Sequence, residues 1–107
     1  MTKLCHLWLT CADKKEADKI SEVLLKKRLV TCVRQMPVSS AYWWKGKIEK
    51  SEEVLLMMES RENLFDQIER EVAKLHSYET PSLTATPVSQ ISASAKKWLN
   101  EGFKNAT

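Results

Sequence analysis

Hydrophobic and polar residues alternate strictly at the start of the chain. Between residues 3 and 11 the odd positions from Cys5 to Cys11 are apolar, whereas His6 and Trp8 occupy even positions. This period of two predicts a first strand whose odd positions face a core. Asp13 then predicts a helix N-cap, with Glu16 as the second member of a capping box. An amphipathic helix over residues 14–28 follows from the apolar positions Ala17, Ile20, Leu24 and Leu25.

A long β-hairpin is predicted next. Its arms are Leu29 to Trp44 and Lys47 to Glu59, both rich in strand formers, and Gly46 offers the positive φ of a tight turn. At about 3.3 Å per residue, an arm of roughly fifteen residues reaches roughly 45 Å, more than a domain of this size needs internally. Pro37 requires a bulge or an edge, and we expect it to divide the first arm into two strands. The overhang predicts pairing with another subunit, although an ordinary hairpin that stops at Pro37 is the alternative.

The second arm ends in the apolar run Val54 to Met58, which is typical of a strand buried on both faces at the centre of a sheet. Ser60 is predicted to cap a second helix. The apolar stripe of that helix consists of Leu64, Phe65, Ile68, Val72 and Leu75. Residues 76–81 end it.

Two short elements close the pattern. Residues 82–88 predict a strand at a sheet edge, because Pro87 cannot donate to a ladder, and residues 93–101 predict a helix that ends at Gly102. The element order predicts an α+β fold of the ferredoxin-like split βαβ type, with both main helices on one face of an antiparallel sheet. The other face, which bears His6 and Trp8, then needs a cover, and a second copy of the chain is the natural one.

Composition narrows the class of protein. Residues 1–107 suit a single globular domain, and a net charge of +3, from 17 basic and 14 acidic residues scattered along the chain, argues against a nucleic-acid partner. No apolar run approaches the roughly 18 residues that span a bilayer, and no signal peptide is evident, so we expect a cytoplasmic protein without a membrane partner. Three cysteines without metal-knuckle spacing predict reduced thiols.

Four ordered motifs cover nearly the whole chain: Lys26 to Val33, Tyr42 to Ile48, Glu53 to Arg61 and Leu75 to Pro81. Together they resemble the CutA family, small trimers associated with divalent-cation tolerance. The resemblance implies a homotrimer in which the long hairpins pair between subunits. It also implies a role in tolerance of divalent metal ions, copper among them, and a fold like that of the PII signalling trimers, which hold small ligands in clefts between subunits.

Four positions depart from the family pattern. Ser77 stands where proline is usual, Ser82 and Lys45 stand where acids are usual, and Arg34 stands where a small or amide residue is usual. Two of these changes remove negative charge near the implied cleft, which disfavours a hard divalent cation.

Cys32 and His76 are the candidate metal ligands. A thiolate and an imidazole together favour copper(II), or another borderline divalent cation, over magnesium or calcium. The alternative for Cys32 is a small buried apolar residue. The alternative for His76 is an interaction of its charged form with the carbonyls at the end of the second helix.

Lys47, Glu59, Tyr78 and Glu79 are candidate residues for binding a small anionic ligand. Tyr78 and Glu79 share a loop with His76 and would suit a pocket wall. Lys47 and Glu59 lie far apart within one hairpin, so a contact between them would have to cross a subunit boundary.

The sequence favours a protein without catalytic activity or organic cofactor. It has no glycine-rich phosphate loop, no G-x-S-x-G elbow and no H-E-x-x-H motif, and a Cys32–His76 nucleophile pair would have no orienting third group. Two functions remain: a homotrimer that binds divalent metal ions, and a PII-like small-molecule sensor or scaffold with its ligand between subunits.

Overall fold

A computed structural model describes residues 3–103. Within this range the chain forms four β-strands, three α-helices and one short 3₁₀-helix, at Glu62–Leu64. The strands and helices are β1 (Leu4–Cys11), α1 (Lys14–Lys26), β2 (Cys32–Trp44), β3 (Lys47–Arg61), α2 (Phe65–Leu75), β4 (Leu83–Pro87) and α3 (Ala93–Gly102). The sheet is antiparallel with the strand order β2-β3-β1-β4. The predicted α+β class and the central place of β3 are confirmed.

One face of the sheet is covered by α1 and α2. The odd positions of β1 and the even positions Leu56 and Met58 of β3 are fully buried against Ile20 and Leu24 of α1 and Ile68 of α2. Apolar residues that recur every two positions in the strands and about every 3.6 positions in the helices therefore pack together in this core. We refer to this side of the sheet as the covered face.

The opposite side, which we call the open face, is not covered by α1 or α2, and α3 contacts it at one end, where Arg61 packs on Phe103 and donates to Asn100. The register places His6 opposite Glu59, Trp8 opposite Met57, and Thr10 opposite Leu55, all with side chains directed away from the core. These side chains remain partly exposed. The second strand adds Cys32, Arg34 and Met36 to the open face.

The long hairpin is present. Pairing between β2 and β3 runs without interruption from Cys32 opposite Glu59 to Trp44 opposite Lys47. The turn has positive φ at both central residues, 50° at Lys45 and 80° at Gly46, which is the type I′ arrangement that matches strand twist.

The prediction that Pro37 divides the first arm is wrong. Pro37 lies opposite Val54 inside one continuous strand. Since β2 is the outer strand of the sheet, the proline nitrogen is tolerated without a bulge, and only the edge part of the prediction holds.

One predicted helix start is also wrong. Ser60 does not cap α2: it belongs to β3, is fully buried, and donates its hydroxyl to the Leu29 carbonyl at 2.6 Å. The last helix ends at Gly102 as predicted, and an added Cβ there would come within 2.4 Å of the Thr31 Cγ2. Close packing against Thr31, and not a positive φ, therefore explains this glycine.

The longest helix in residues 3–103 has 13 residues, and none is long and apolar enough to cross a membrane.

Candidate functional site

Two carboxylates, those of Asp13 and Glu16, form hydrogen bonds at the start of α1. Asp13, extended at φ −158°, accepts a hydrogen bond from the Glu16 N–H at 2.9 Å, as a helix N-cap should. In the predicted capping box, the Glu16 carboxylate would accept from the N–H of the N-cap residue Asp13. It accepts instead from the N–H of the preceding residue, because Glu16 Oε2 lies 2.8 Å from the Ala12 nitrogen. Its Oε1 accepts from the Ser77 N–H at 2.6 Å, which ties the loop after α2 to the start of α1.

The side chain of His76, at the end of α2, is completely buried. Its Nε2 lies 2.8 Å from the Thr10 carbonyl, and its Nδ1 accepts from the Tyr78 N–H at 3.1 Å. Because a carbonyl only accepts, Nε2 carries the proton and Nδ1 presents its lone pair. The imidazole therefore reaches a β1 carbonyl and not the carbonyls of its own helix, which was the alternative for this residue.

A thiol completes the group. Cys11 occupies the last odd position of β1 and is fully buried. Its Sγ, a Glu16 carboxylate oxygen and a His76 ring nitrogen all lie within 4.8 Å of one another. Among the His, Cys, Asp and Glu side chains of residues 3–103, this is the one place where three potential ligand atoms come together. We call Cys11, Glu16 and His76 the thiol–carboxylate–imidazole cluster.

The local environment fixes the protonation of two members of this cluster. Burial raises the pKa of the Cys11 thiol to about 12, and the carboxylates of Glu16 and Asp13 add to the effect. Burial alone would also raise the pKa of Glu16, but the hydrogen bonds from Ala12 and Ser77 outweigh it and hold that pKa below its ordinary value. Cys11 is thus a neutral thiol and Glu16 a carboxylate at neutral pH.

Next to the cluster lies an open cleft of about 840 Å³, between the hairpin and the loop that follows α2. The Tyr78 hydroxyl donates a short hydrogen bond to the buried Glu53 carboxylate at its wall. Burial raises the pKa of Tyr78, and the bond to Glu53 raises it further, so the phenol stays protonated. The cleft is lined by Thr10, Ser40, Ala41, Tyr42, Trp44, Lys45, Glu53, Ser77, Tyr78, Glu79, Thr80 and Ser82.

The predicted site residues fall into two groups. Tyr78 and Glu79 line the cleft as expected, and His76 joins the cluster beside it. Lys47 lies opposite Trp44 at the hairpin tip, and Glu59 lies opposite Cys32 at the far end of β3, so neither lines the cleft.

The structure does not bring Cys32 and His76 together. Cys32 and its partner Glu59 lie level with His6 of β1, while His76 contacts Thr10, four residues further along that strand or about 13 Å away. Burial raises the pKa of the Cys32 thiol; Arg34 opposes this rise, while Glu59 reinforces it.

Glu59 instead joins the open face. Its carboxylate lies 3.5 Å from His6 Nε2 and 3.5 Å from the Arg34 guanidinium. Arg34, one of the departures from the family pattern, therefore supplies a counter-charge for Glu59.

Sequence reasoning missed Glu53 and the ligating capacity of Cys11 and Glu16. Glu53 was hidden beside the apolar run of β3, and Cys11 was read only as a core position. The signal for Glu16 was present, since its capping-box position put it at the end of β1, but its reach to Ser77 depends on the tertiary fold.

Comparison with known proteins gives a consistent result. Residues 5–102 match the family of CutA1 divalent ion tolerance proteins. The chain is 34% identical over 95 residues to the divalent-cation tolerance protein CutA of Archaeoglobus fulgidus, covering 89% of this chain and 93% of that protein. It is 33% identical over 98 residues to the protein of the same name from Pyrococcus horikoshii, covering 92% and 96%. The solved structure of the A. fulgidus protein superposes with a TM-score of 0.91 at 32% identity, over 94% of this chain and 98% of that one.

The expectation of a cytoplasmic protein is wrong as a reading of this sequence. The solved A. fulgidus protein is described as periplasmic. A rice protein, 29% identical over 94% of this chain and 55% of its own length, is described as chloroplastic. Proteins of this kind are therefore described in other compartments as well.

Proposed function

Because the chain belongs to the family of CutA1 divalent ion tolerance proteins, we propose that it acts as a homotrimer that binds divalent metal ions, copper(II) among them, without catalysis. Its subunit has the ferredoxin-like split βαβ arrangement, which the element order and the strand order β2-β3-β1-β4 support. The proposal rests on one observation above others: the β2–β3 hairpin continues from Val54, where β1 ends at Cys11, to a turn at Lys45 and Gly46.

The open face supports the proposed assembly. Leu55, Met57 and Trp8 form a partly exposed apolar strip across β3 and β1, and Met36 of β2, 40% exposed, extends it. Contiguous apolar surface of this kind marks interaction sites.

Light scattering coupled to gel filtration tests the assembly. We expect the mass of three chains for the wild type and of one chain for Met57→Lys, which places a charge in the strip. Lys19→Glu, a change of charge on the exposed side of α1, is the control and should remain trimeric. A wild-type mass of one or two chains would contradict the proposal.

For the metal function we propose His76 as a ligand and assign Cys32 to the subunit interface. His76 presents a ring nitrogen to a thiol and a carboxylate, whereas Cys32 lies beside Glu59 on the open face. Calorimetric titration with copper(II) should show His76→Ala weakened at least about tenfold, or about 1.4 kcal/mol. Unchanged affinity in that variant would remove His76 from the site.

A second function is favoured by the cleft. Its walls combine the aromatic rings of Tyr42, Trp44 and Tyr78 with the ammonium of Lys45, a set that suits a small organic anion. Thermal-shift measurements with nucleotides and carboxylates, set against divalent metal salts, distinguish the sensor from the metal-binding protein, since a ligand of the native state raises the midpoint.

A further inference from the structure

Three elements converge on the thiol–carboxylate–imidazole cluster: the end of β1, the first turn of α1 and the end of α2. We infer that Cys11, Glu16 and His76 together bind one divalent cation of borderline softness, for which Zn²⁺ is the best match. This inference deepens the proposed metal-binding function by naming the ligands and the class of ion, and it does not depend on the assembly.

The spacing of the ligand atoms suits a single ion. With Zn–N and Zn–O near 2.0–2.2 Å and Zn–S near 2.3 Å, the ligand atoms of a tetrahedral site lie about 3.3 to 3.6 Å apart. The His76 Nδ1 and Glu16 Oε2 atoms are already 3.8 Å apart, and all three ligand atoms lie within 4.8 Å. Side-chain adjustments of about 1 Å or less therefore close the site.

The imidazole is held in the tautomer that a metal requires. Its Nε2–H is fixed by the Thr10 carbonyl, and its Nδ1, which carries the lone pair, lies 3.8 Å from Glu16 Oε2. Ligating histidines almost always donate their second ring N–H to a carbonyl or carboxylate in this way. The Tyr78 N–H donates a neutral hydrogen bond to His76 Nδ1 at 3.1 Å. An ion that binds Nδ1 takes the place of this hydrogen bond.

Charge also favours a divalent ion. Glu16 contributes one negative charge, and Cys11 contributes a second when the ion displaces its S–H proton, which passes to solvent. Two negative ligands and a neutral imidazole balance a charge of +2, so the bound site carries no net charge in a buried setting. The sulfur and nitrogen donors favour Zn²⁺ and Cu²⁺ over Mg²⁺ and Ca²⁺, which select all-oxygen sites.

The site has a route to solvent. Thr10 precedes Cys11, and Ser77 follows His76, and both line the open cleft. An ion can enter from this side, and a water from the cleft can take the fourth position that three protein ligands leave open.

Two backbone hydrogen bonds already hold the Glu16 carboxylate, at Ala12 and at Ser77. The Ser77 bond depends on this chain's own sequence, because a proline at position 77 would have no N–H to donate. Each carboxylate oxygen keeps a second acceptor site for the metal. The hydrogen bond that anchors the loop after α2 therefore also helps to orient the Glu16 carboxylate as a metal ligand.

Cobalt(II) titration of the reduced full-length protein, without added thiols and without oxygen, tests the site. We expect one Co²⁺ per chain, with a thiolate-to-cobalt charge-transfer band and intense visible bands of a tetrahedral ion, both removed by added Zn²⁺. Cys11→Ser should lose the charge-transfer band and at least tenfold in affinity, and Glu16→Gln should lose at least tenfold in affinity.

Matched thiol controls make the assignment specific. Cys5→Ser changes a fully buried cysteine on the same face of β1, and Cys32→Ser changes the thiol on the open face; both should keep the band. Circular dichroism and light scattering on the same samples verify fold and assembly for each variant.

Three results would overturn the inference. If the band persists in Cys11→Ser, Cys11 is not a ligand; if it disappears in Cys32→Ser, the ion binds on the open face, and metal binding stands while this site fails. If the folded wild type binds neither Co²⁺ nor Zn²⁺ at about 1 mM, a limit of about 4 kcal/mol in binding free energy, the metal-binding part of the proposed function fails as well.

Discussion

The two faces of the sheet use the same strands for opposite purposes. On the covered face, Leu56 and Met58 are sealed beneath α1 and α2. On the open face, Leu55 and Met57 come from the same five-residue run but remain partly exposed. The run Val54 to Met58 therefore has apolar side chains on both faces of the sheet, whereas α1 and α2 cover only one face.

Each face also carries one cluster of chemically capable side chains, and the clusters differ in construction. On the covered side, Glu16 and His76 are held by backbone N–H and C=O groups. On the open side, the Glu59 carboxylate lies 3.5 Å from the side chains of both His6 and Arg34. The first cluster is held by backbone groups, while the contacts of the second are made by side chains.

The largest expected effect compares two adjacent leucines of β3. Leu56→Ala removes a fully buried side chain and should lower the free energy of unfolding by about 2–5 kcal/mol. Leu55→Ala, the same change on the open face, should cost clearly less in a chain kept monomeric by Met57→Lys. Urea denaturation measures both.

Leu55→Ala and Leu56→Ala also test whether another chain packs on the open face. In the wild-type assembly, the unfolding midpoint should rise with protein concentration, and Leu55→Ala should reduce that dependence. Equal costs for Leu55→Ala and Leu56→Ala in the monomeric background would show that the two faces do not differ as described.

A smaller effect separates the two carboxylates. Glu16→Gln can accept from only one of the two N–H groups, the part-buried one of Ala12 or the exposed one of Ser77, and should cost about 1.5 kcal/mol at pH 7. Glu59→Gln loses the ion pair with Arg34 at 3.5 Å on the open face and should cost less than about 1 kcal/mol in the monomeric background.

The pH dependence of the Glu16 effect has a definite sign. The pKa of Glu16 is lower in the folded chain than its ordinary value of 4.5. Its carboxylate therefore stabilises the fold above pH 4.5, and this contribution is lost as the pH falls through the folded-state pKa. The difference between wild type and Glu16→Gln should shrink below pH 4.5, as measured by denaturation at a series of pH values. A difference that stays constant down to acid unfolding would contradict the assignment.

The smallest effect concerns the hairpin tip, beyond the reach of both helices. Trp43 is 73% exposed and lies opposite Ile48, which is 60% exposed. Trp43→Ala should cost less than about 1 kcal/mol in the monomeric background, the value of one cross-strand pair. A larger cost in the wild-type background would place the tip in a contact between chains; an equal cost would leave it solvated.

Much of the fold was predictable because it depends on local patterns. Alternation in β1, helical spacing in α1 and the apolar run of β3 each specify an element and the face it buries. The failures occurred where a residue serves a distant neighbour. Ser60 looks like a helix cap but donates to Leu29, and Gly102, which does end α3, is needed for its packing against Thr31.

The candidate site was less predictable for the same reason. The ligands of the cluster are separated by up to 65 positions, and only the docking of the loop after α2 brings His76 to Glu16 and Cys11. The change from proline to Ser77 was visible in the sequence as a departure from the family pattern. Its consequence, an N–H that holds Glu16 at 2.6 Å, required the structure.

Pro37 has a consequence for how far this long outer strand can template the growth of fibrils. Its position in an unbroken outer strand directs a nitrogen without hydrogen away from the sheet, so the outward row of donors on β2 has a gap between Gln35 and Ser39. A foreign strand that adds to this edge can then form continuous hydrogen bonds only on one side of the gap. A strand of 13 residues, which would otherwise be a hazard for cross-β stacking, offers two shorter stretches instead.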